Sequence, residues 1–409
     1  MKKTTKEKIP ILIFLAMLLA LPASFALTSP FLNTENMEKR KFAEWPNYAK
    51  LAAVVPENLR KSNEMNGMET VCEPLEVIKV ASGDYTRGIE AYYNDRIPYK
   101  NQLTSLNASL KNLSGIGQTL VDYYTYGVVI VGQDDWLFHN GAVNESTLPD
   151  YMCTNLYSKA ELERLAASYQ KLSDQYKADG TEFVLFIPTN KEQVYPEYMP
   201  KSITKGQGQS RTDQLVDYLK QNTDVRVVYA KQTEIDQKSE DYKLWYKYDT
   251  HWNNLGAFVG EQALRQELQG ESDLLSEHKI EDVNVAAPND LAVVAGLGEQ
   301  LQELTQPVVT DYKPDIKSEM IAGENDQEAF YMAFTSNAED KRKFVMIRDS
   351  YVYNMIGPLT KDFADVTLFA NNQMAKDFME KNHTDIFVLE IVERQNHRVE
   401  EQYKELLND

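Results

Sequence analysis

Histidine and cysteine are scarce in this chain, with five and two respectively among 409 residues. Neither Cys72 nor Cys153 lies in a Cys-x-x-Cys pair or beside a histidine, so no metal or thiol chemistry is assigned to them. A cationic surface is missing as well. Forty-three Lys and Arg stand against 62 Asp and Glu, a formal net charge of −19. No basic stripe overrides that field, which repels nucleic acid and anionic lipid, so nucleic-acid binding is set aside. Internal repeats and low-complexity tracts are also lacking. What is present is enough for a sizeable core: 43% apolar residues and 24 tyrosines.

The only long uncharged apolar run is at the start. A basic "MKKTTKEK" precedes Ile9–Leu27, a run about long enough to span a bilayer, with lysines that predict a cytoplasmic N-terminus. Ser24-Phe25-Ala26 also offers small residues at signal-peptidase positions, so cleavage is a second outcome. Residues 1–30 are therefore expected to be a membrane anchor or signal segment. The rest is expected to be extracytoplasmic, anchored by that helix or secreted if it is cleaved. In an oxidising compartment Cys72 and Cys153 either pair or stay as two thiols, and spacing does not separate these outcomes.

Residues 31–115 are polar and read as a helical stem or cap. From about residue 116 the pattern changes. "YGVVIVG" (126–132) and "DWLFHNG" (135–141) predict a strand pair turning at Gln133–Asp135. Residues 158–180 predict a helix with a Ser158/Glu161 capping box, a stripe from Leu162 to Tyr176, and Gly180 at its end. Apolar runs "FVLFIP" (183–188), "VRVVY" (225–229), "FVMI" (344–347) and "IFVLEIV" (386–392) predict strands buried on both faces. Helices are expected at 211–221 and 254–269 between them. Strands alternating with amphipathic helices imply an α/β domain with a mostly parallel sheet over 116–409, with an acidic insertion around 270–340.

In such sheets ligands gather beyond the carboxyl ends of the strands. Ser350 follows "FVMI", Asn190 and Lys191 follow "FVLFIP", and Glu393, Arg394 and His397 follow "IFVLE". A serine needs a base to become a nucleophile, usually a histidine oriented by a carboxylate. Asp249 and His251, two apart in "YDTHWNNLGAF", supply both if the tripeptide is extended. The alternative is that Asp249 caps the helix starting near Asn253 while His251 packs on Trp252. Ser350 likewise has the alternative of a turn or N-cap serine. A metal centre is disfavoured, because no second histidine stands at ligand spacing.

"YDTHWNNLGAF" followed by "VMIRDSYVYNMIGPL" resembles the DHHW proteins and the alginate O-acetyltransferases AlgJ and AlgX, which are SGNH-hydrolase-like. "EKRKFAEWP", "YYNDRIPYKNQL", "DDWLF", "IPTNKEQVYPEYMP" and "NDLA" (289–292) match further segments of that family in order. The resemblance implies a flavodoxin-like three-layer domain. Its Asp-x-His precedes the serine, whereas ordinary SGNH hydrolases carry the serine first, so a circular permutation is expected. It further implies Ser350 as nucleophile, His251 as base and Asp249 as its orienting carboxylate, with no metal or cofactor. Arg348 stands where such enzymes usually have glycine, and the usual oxyanion asparagine has no clear counterpart. The Ser350 N–H is the first oxyanion donor expected, with Asn190, Lys191 or Arg348 as helpers. Tyr351 and Trp252 are expected to line the acyl or sugar site.

The function implied is O-acetylation of a cell-surface or secreted polysaccharide. The acetyl donor would be delivered by a multi-spanning membrane-bound O-acyltransferase. The alternatives are a carbohydrate esterase with the same triad and a non-catalytic polysaccharide-assembly subunit.

Overall fold

The apolar runs become the centre of the fold. In the computed structural model, residues 129–140, 147–311, 317–321 and 331–399 are described, together with positions 92, 405 and 406, and 317–321 by backbone alone. The expected anchor and all of the expected stem except Tyr92 lie outside the described residues. Among the described residues no helix is long and apolar enough to cross a membrane. The chain divides into Met1–Leu110 and Lys111–Asp409, and the second unit holds every strand of the fold described.

Strands β1 (Val129–Val131) and β2 (Leu137–His139) form the expected antiparallel pair. Asp134 and Asp135 make its tight turn with φ of 53° and 60°. The main sheet holds seven strands: β3 (Glu182–Ile187), β4 (Arg226–Tyr229), β7 (Lys317–Ile321), β8 (Tyr331–Thr335), β9 (Asp340–Ile347), β10 (Phe363–Phe369) and β11 (Ile386–Glu390). Between these lie β5 (Ile280–Val283) and β6 (Gln306–Val309), which form a separate antiparallel pair. The spatial order of the main sheet is β4-β3-β11-β9-β10-β8-β7. The first five strands run parallel, while β8 lies antiparallel to both β10 and β7.

This order carries the permutation. Counted from β9, strands β9, β10, β11, β3 and β4 become first to fifth, and their spatial order is 2-1-3-4-5, the flavodoxin-like arrangement. The chain therefore builds the last two strands of that sheet first. Its topological switch point lies between β9 and β11, where a ligand crevice is expected.

Alternation along each strand feeds two cores. Phe183, Leu185 and Ile187 face helices α1 (Lys159–Ala178) and α2 (Arg211–Asn222). Val184 and Phe186 face α3 (Asn254–Gln269) and Trp252. Each such side chain contributes roughly 1.5–3 kcal/mol by leaving water, so a strand covered on both sides is held about twice as firmly as a one-sided one. Helix α1 starts at the Ser158/Glu161 capping box and stops at Gly180, whose φ of 80° belongs to the left-handed region.

Within the expected acidic insertion around 270–340, β7 and β8 extend the main sheet from β10. Strand β10 itself has no continuous apolar run, since Asp365 and Thr367 interrupt it. Pairing with β9 on one side and β8 on the other stabilises it where sequence character alone does not. Cys153 is a free thiol, and Cys72 lies outside the described residues.

Candidate active site

Strand β9 ends at Ile347 and delivers Ser350 to the switch point. The Asp349 N–H donates to Glu390 Oε2 at the end of β11, 2.6 Å away. Asp349 Oδ1 accepts the Tyr351 N–H at 2.8 Å and so caps the 3-10 turn Ser350–Met355. With Asp349 as the cap, the Ser350 hydroxyl has no capping duty and stays exposed. The Ser350 N–H, at the open start of that turn, meets no acceptor among the described residues.

The histidine comes from a loop pinned at its base. Trp245 and Trp252 bridge its two arms, and the Asn253 N–H donates to Leu244 O at 2.9 Å. Asn253, not Asp249, caps α3, accepting from Leu255 and Gly256. The capping alternative for Asp249 is thereby excluded. Nor is Asp249–His251 extended; these residues occupy the bend at the loop tip. Asp249 Oδ1 accepts the His251 N–H at 2.9 Å, an Asx-type turn, and also meets Nδ1 at 2.7 Å. His251 Nε2 lies 2.7 Å from Ser350 Oγ. This pattern assigns the proton of the neutral imidazole to Nδ1 and leaves Nε2 to accept.

Electrostatics follow the same line. Burial pushes the Asp249 carboxyl up, but hydrogen bonds and charge from His251 and the Asp290 N–H hold it below the usual carboxylate range. Burial alone would lower His251. The bond and charge of Asp249, with the charges of Asp290 and Asp349, raise it instead. Burial and the neighbouring Asp249 push Asp290 up.

The remaining expected residues are placed elsewhere. Lys191 is buried, donating from Nζ to Leu137 O at 2.7 Å and Tyr246 O at 2.9 Å. It ties β2 to the histidine loop, and burial lowers its pKa to about 8. The Asn190 N–H donates to Glu393 Oε2 at 2.8 Å, and its Oδ1 accepts from Arg394 at 3.3 Å. Arg348 is buried with its guanidinium 4.5 Å from the Tyr353 ring centre. Lys191 thereby supports neighbouring backbone and Arg348 packs on the Tyr353 ring, whereas the Asn190 contacts use its N–H and Oδ1 and leave its buried Nδ2 without a partner among the described residues. Trp252 and Tyr351 are 0% and 1% exposed, so neither offers a face to a sugar. Trp252 Nε1 donates to Tyr351 O at 2.8 Å, and Tyr351 OH donates to Thr250 O at 2.7 Å. Together these two bonds lock the serine turn to the histidine loop.

Sequence reasoning gave no role to Tyr353, Glu390, Thr250 or Asp290. Tyr353 is 39% exposed, and side chains three apart in a 3-10 turn eclipse, so it shares the face of Ser350. Glu390 ends an apolar run, a signal that was visible. Asp290 lies in "NDLA", which carried a resemblance but no chemistry. Asp249, His251 and Asp290 bring ligand atoms within 4.8 Å of one another. The Nδ1–H bond to Asp249 already occupies the nitrogen a metal would take, and three donors fall short of a closed shell.

Comparison with known proteins agrees with this architecture. The SGNH hydrolase-like domain of the acetyltransferase AlgX matches residues 129–370, more than half of the chain. The probable alginate O-acetylase AlgJ of Pseudomonas fluorescens is 25% identical over 209 residues, covering 48% of this chain and 46% of that one. The chain thus spans about half the length of the curated relatives it matches. Among solved structures, a DHHW family protein from Eubacterium siraeum superposes with a TM-score of 0.47 at 14% identity, covering 69% of this chain and 98% of its own. The O-acetyltransferase domain of Pseudomonas putida AlgJ gives 0.42 at 18% identity, covering 66% and 92%. A serine reached from a permuted flavodoxin-like sheet and a match over most of the described domain lead to one assignment: the chain belongs to the AlgX family of SGNH hydrolase-like acetyltransferase domains.

Proposed function

We propose that the chain is an extracytoplasmic O-acetyltransferase acting on a polysaccharide, held at the membrane by its N-terminal segment and supplied with acetyl groups by a membrane-bound O-acyltransferase. The observation that carries this reading is the unbroken line Asp249–His251–Ser350, with both links at 2.7 Å. Ser350 Oγ attacks the acyl carbon of the donor while its proton passes to His251 Nε2. The Ser350 N–H stabilises the oxyanion, His251 returns the proton to the departing group, and an acetyl-serine remains. A sugar hydroxyl then gives its proton to Nε2 and attacks the acetyl carbon. Ser350 Oγ leaves and recovers that proton. Asp249 holds the tautomer and balances the imidazolium formed in each half. The exposed ring of Tyr353, backed by Arg348, supplies the apolar face that a pyranose prefers. The acceptor class follows the curated relatives, which are named alginate O-acetylases.

The exposure of Ser350 also admits water, which favours esterase as the second reading. The full chain offered an activated acetyl ester, with and without oligosaccharide, separates the two. Transfer outpacing free acetate supports the transferase, and the reverse supports the esterase. Ser350→Ala is expected to lower either rate by at least about a thousandfold. Equal rates for this variant and wild type sink both catalytic readings.

A further inference from the structure

The proposed triad leaves one carboxylate beside it without a role. Asp290, which opens the short helix Asp290–Val294, stands forty residues after Thr250 in sequence. Its own N–H donates to Asp249 Oδ2 at 2.8 Å. That bond fills the oxygen of Asp249 not used by His251, so the carboxylate cannot rotate away from the imidazole. Asp290 Oδ1 accepts the Thr250 N–H at 2.8 Å, and Oδ2 accepts the Thr250 hydroxyl at 2.6 Å. The donating Thr250 Oγ1 is in turn 3.1 Å from His251 Nδ1, and Asp290 Oδ2 itself lies 3.9 Å from that nitrogen. The Nδ1 edge of the histidine therefore faces Asp249 directly and Asp290 through the Thr250 hydroxyl.

A structural role alone would need only some of these contacts. A carboxylate with only a structural role would gain more from water than from a second carboxylate nearby. Here the two acids are held close, with backbone N–H groups between them, and the imidazole is the group whose positive form both favour. Building on the acyl-transfer reading, we propose that Asp290 is a positioning residue for His251: it fixes Asp249 and Thr250 around Nδ1 and adds a second negative charge to stabilise the imidazolium. Thr250, the middle residue of Asp249–His251, is the link through which it acts.

The test reads His251 itself as well as turnover. Other charged groups in this neighbourhood are Asp349, facing His251, and Lys191 and Glu303, facing Asp249; all stay constant in the variants. In full-length protein with labelled histidines, five in all, the His251 signal is identified by its loss in His251→Gln and titrated by NMR. Asp290→Asn keeps size and one acceptor oxygen for the Thr250 N–H, removes the charge, and replaces the oxygen that accepts the Thr250 hydroxyl with an amide donor. It is expected to lower the His251 midpoint by roughly half a pH unit or more. The acid limb of the ester turnover profile should move down with it. Asp290→Glu should titrate like wild type. Thr250→Val, which cuts only the hydroxyl link, predicts a smaller downward shift and keeps the test open if Asp290→Asn does not fold. An unchanged midpoint in Asp290→Asn, or in Thr250→Val where that is the folded variant, overturns the proposal. So does Asp290→Glu shifting as far as Asp290→Asn. Ser350→Ala retaining turnover would instead remove the acyl-transfer reading, while the His251 titration still decides the role of Asp290.

Discussion

At the residue scale, the site separates groups that react from groups that hold them. Ser350 and Tyr353 are the exposed members of their turn, while Tyr351, Val352 and Met355 are buried. An acceptor approaching Ser350 therefore meets the ring of Tyr353, whose other side is occupied by the Arg348 guanidinium. Tyr353→Ala is predicted to raise KM for an oligosaccharide acceptor about tenfold, corresponding to loss of ~1.4 kcal/mol, with a smaller change in kcat. Tyr353→Phe should keep most of the affinity. An unchanged KM in Tyr353→Ala would show that sugars bind elsewhere. Ser350, His251 and Asp249 were legible as residue types and through resemblance. The Asx turn that joins two of them was not, because an extended tripeptide satisfies the same spacing.

At the element scale, the histidine loop depends on how closely α3 can approach it. Glycine inside a helix costs about 1 kcal/mol relative to alanine, yet α3 carries Gly256 and Gly260 one turn apart. A Cβ at Gly260 would lie 2.6 Å from the Trp252 indole, and one at Gly256 would run into the Leu244 carbonyl. Trp252 is fully buried against Phe186, Trp245 and Tyr351, so it has nowhere to move. Gly260→Val is accordingly predicted to destabilise the fold by about 1–3 kcal/mol and to lower kcat by displacing the loop next to His251. A melting curve and turnover both matching wild type would refute this account of the packing. The helix periodicity was readable, but the need for glycine on that face was not, because it is set by a side chain packed across from it.

At the scale of the whole molecule, acidic side chains are buried as well as displayed. Burial and the Glu393 charge push Glu192 up to about 8, and burial pushes Glu393 up to about 7. The folded state thus holds protons that an unfolded glutamate releases near its ordinary value of 4.5. The stability from these protons is complete below that value and drains as pH rises through 7 to 8. Lys191, pushed down to about 8, adds an opposing effect only above that pH. The melting temperature should therefore fall by several degrees between pH 5.5 and 8, and Glu192→Gln should flatten the decline. A melting temperature that rises across this interval would contradict the assignment of these buried acids.

The sequence by itself determined the alternation of buried strands and amphipathic helices, the caps of α1, and a serine at a strand end with an Asp-x-His pair as its candidate partner. These are local properties, written in residue period and side-chain type within one segment. Only the tertiary structure decided that β10, β8 and β7 complete the sheet, that Trp252 and Tyr351 are internal, and that Asp290 stands beside His251. Each of those depends on partners tens of residues away, where pairing and exclusion of water override what a segment prefers alone.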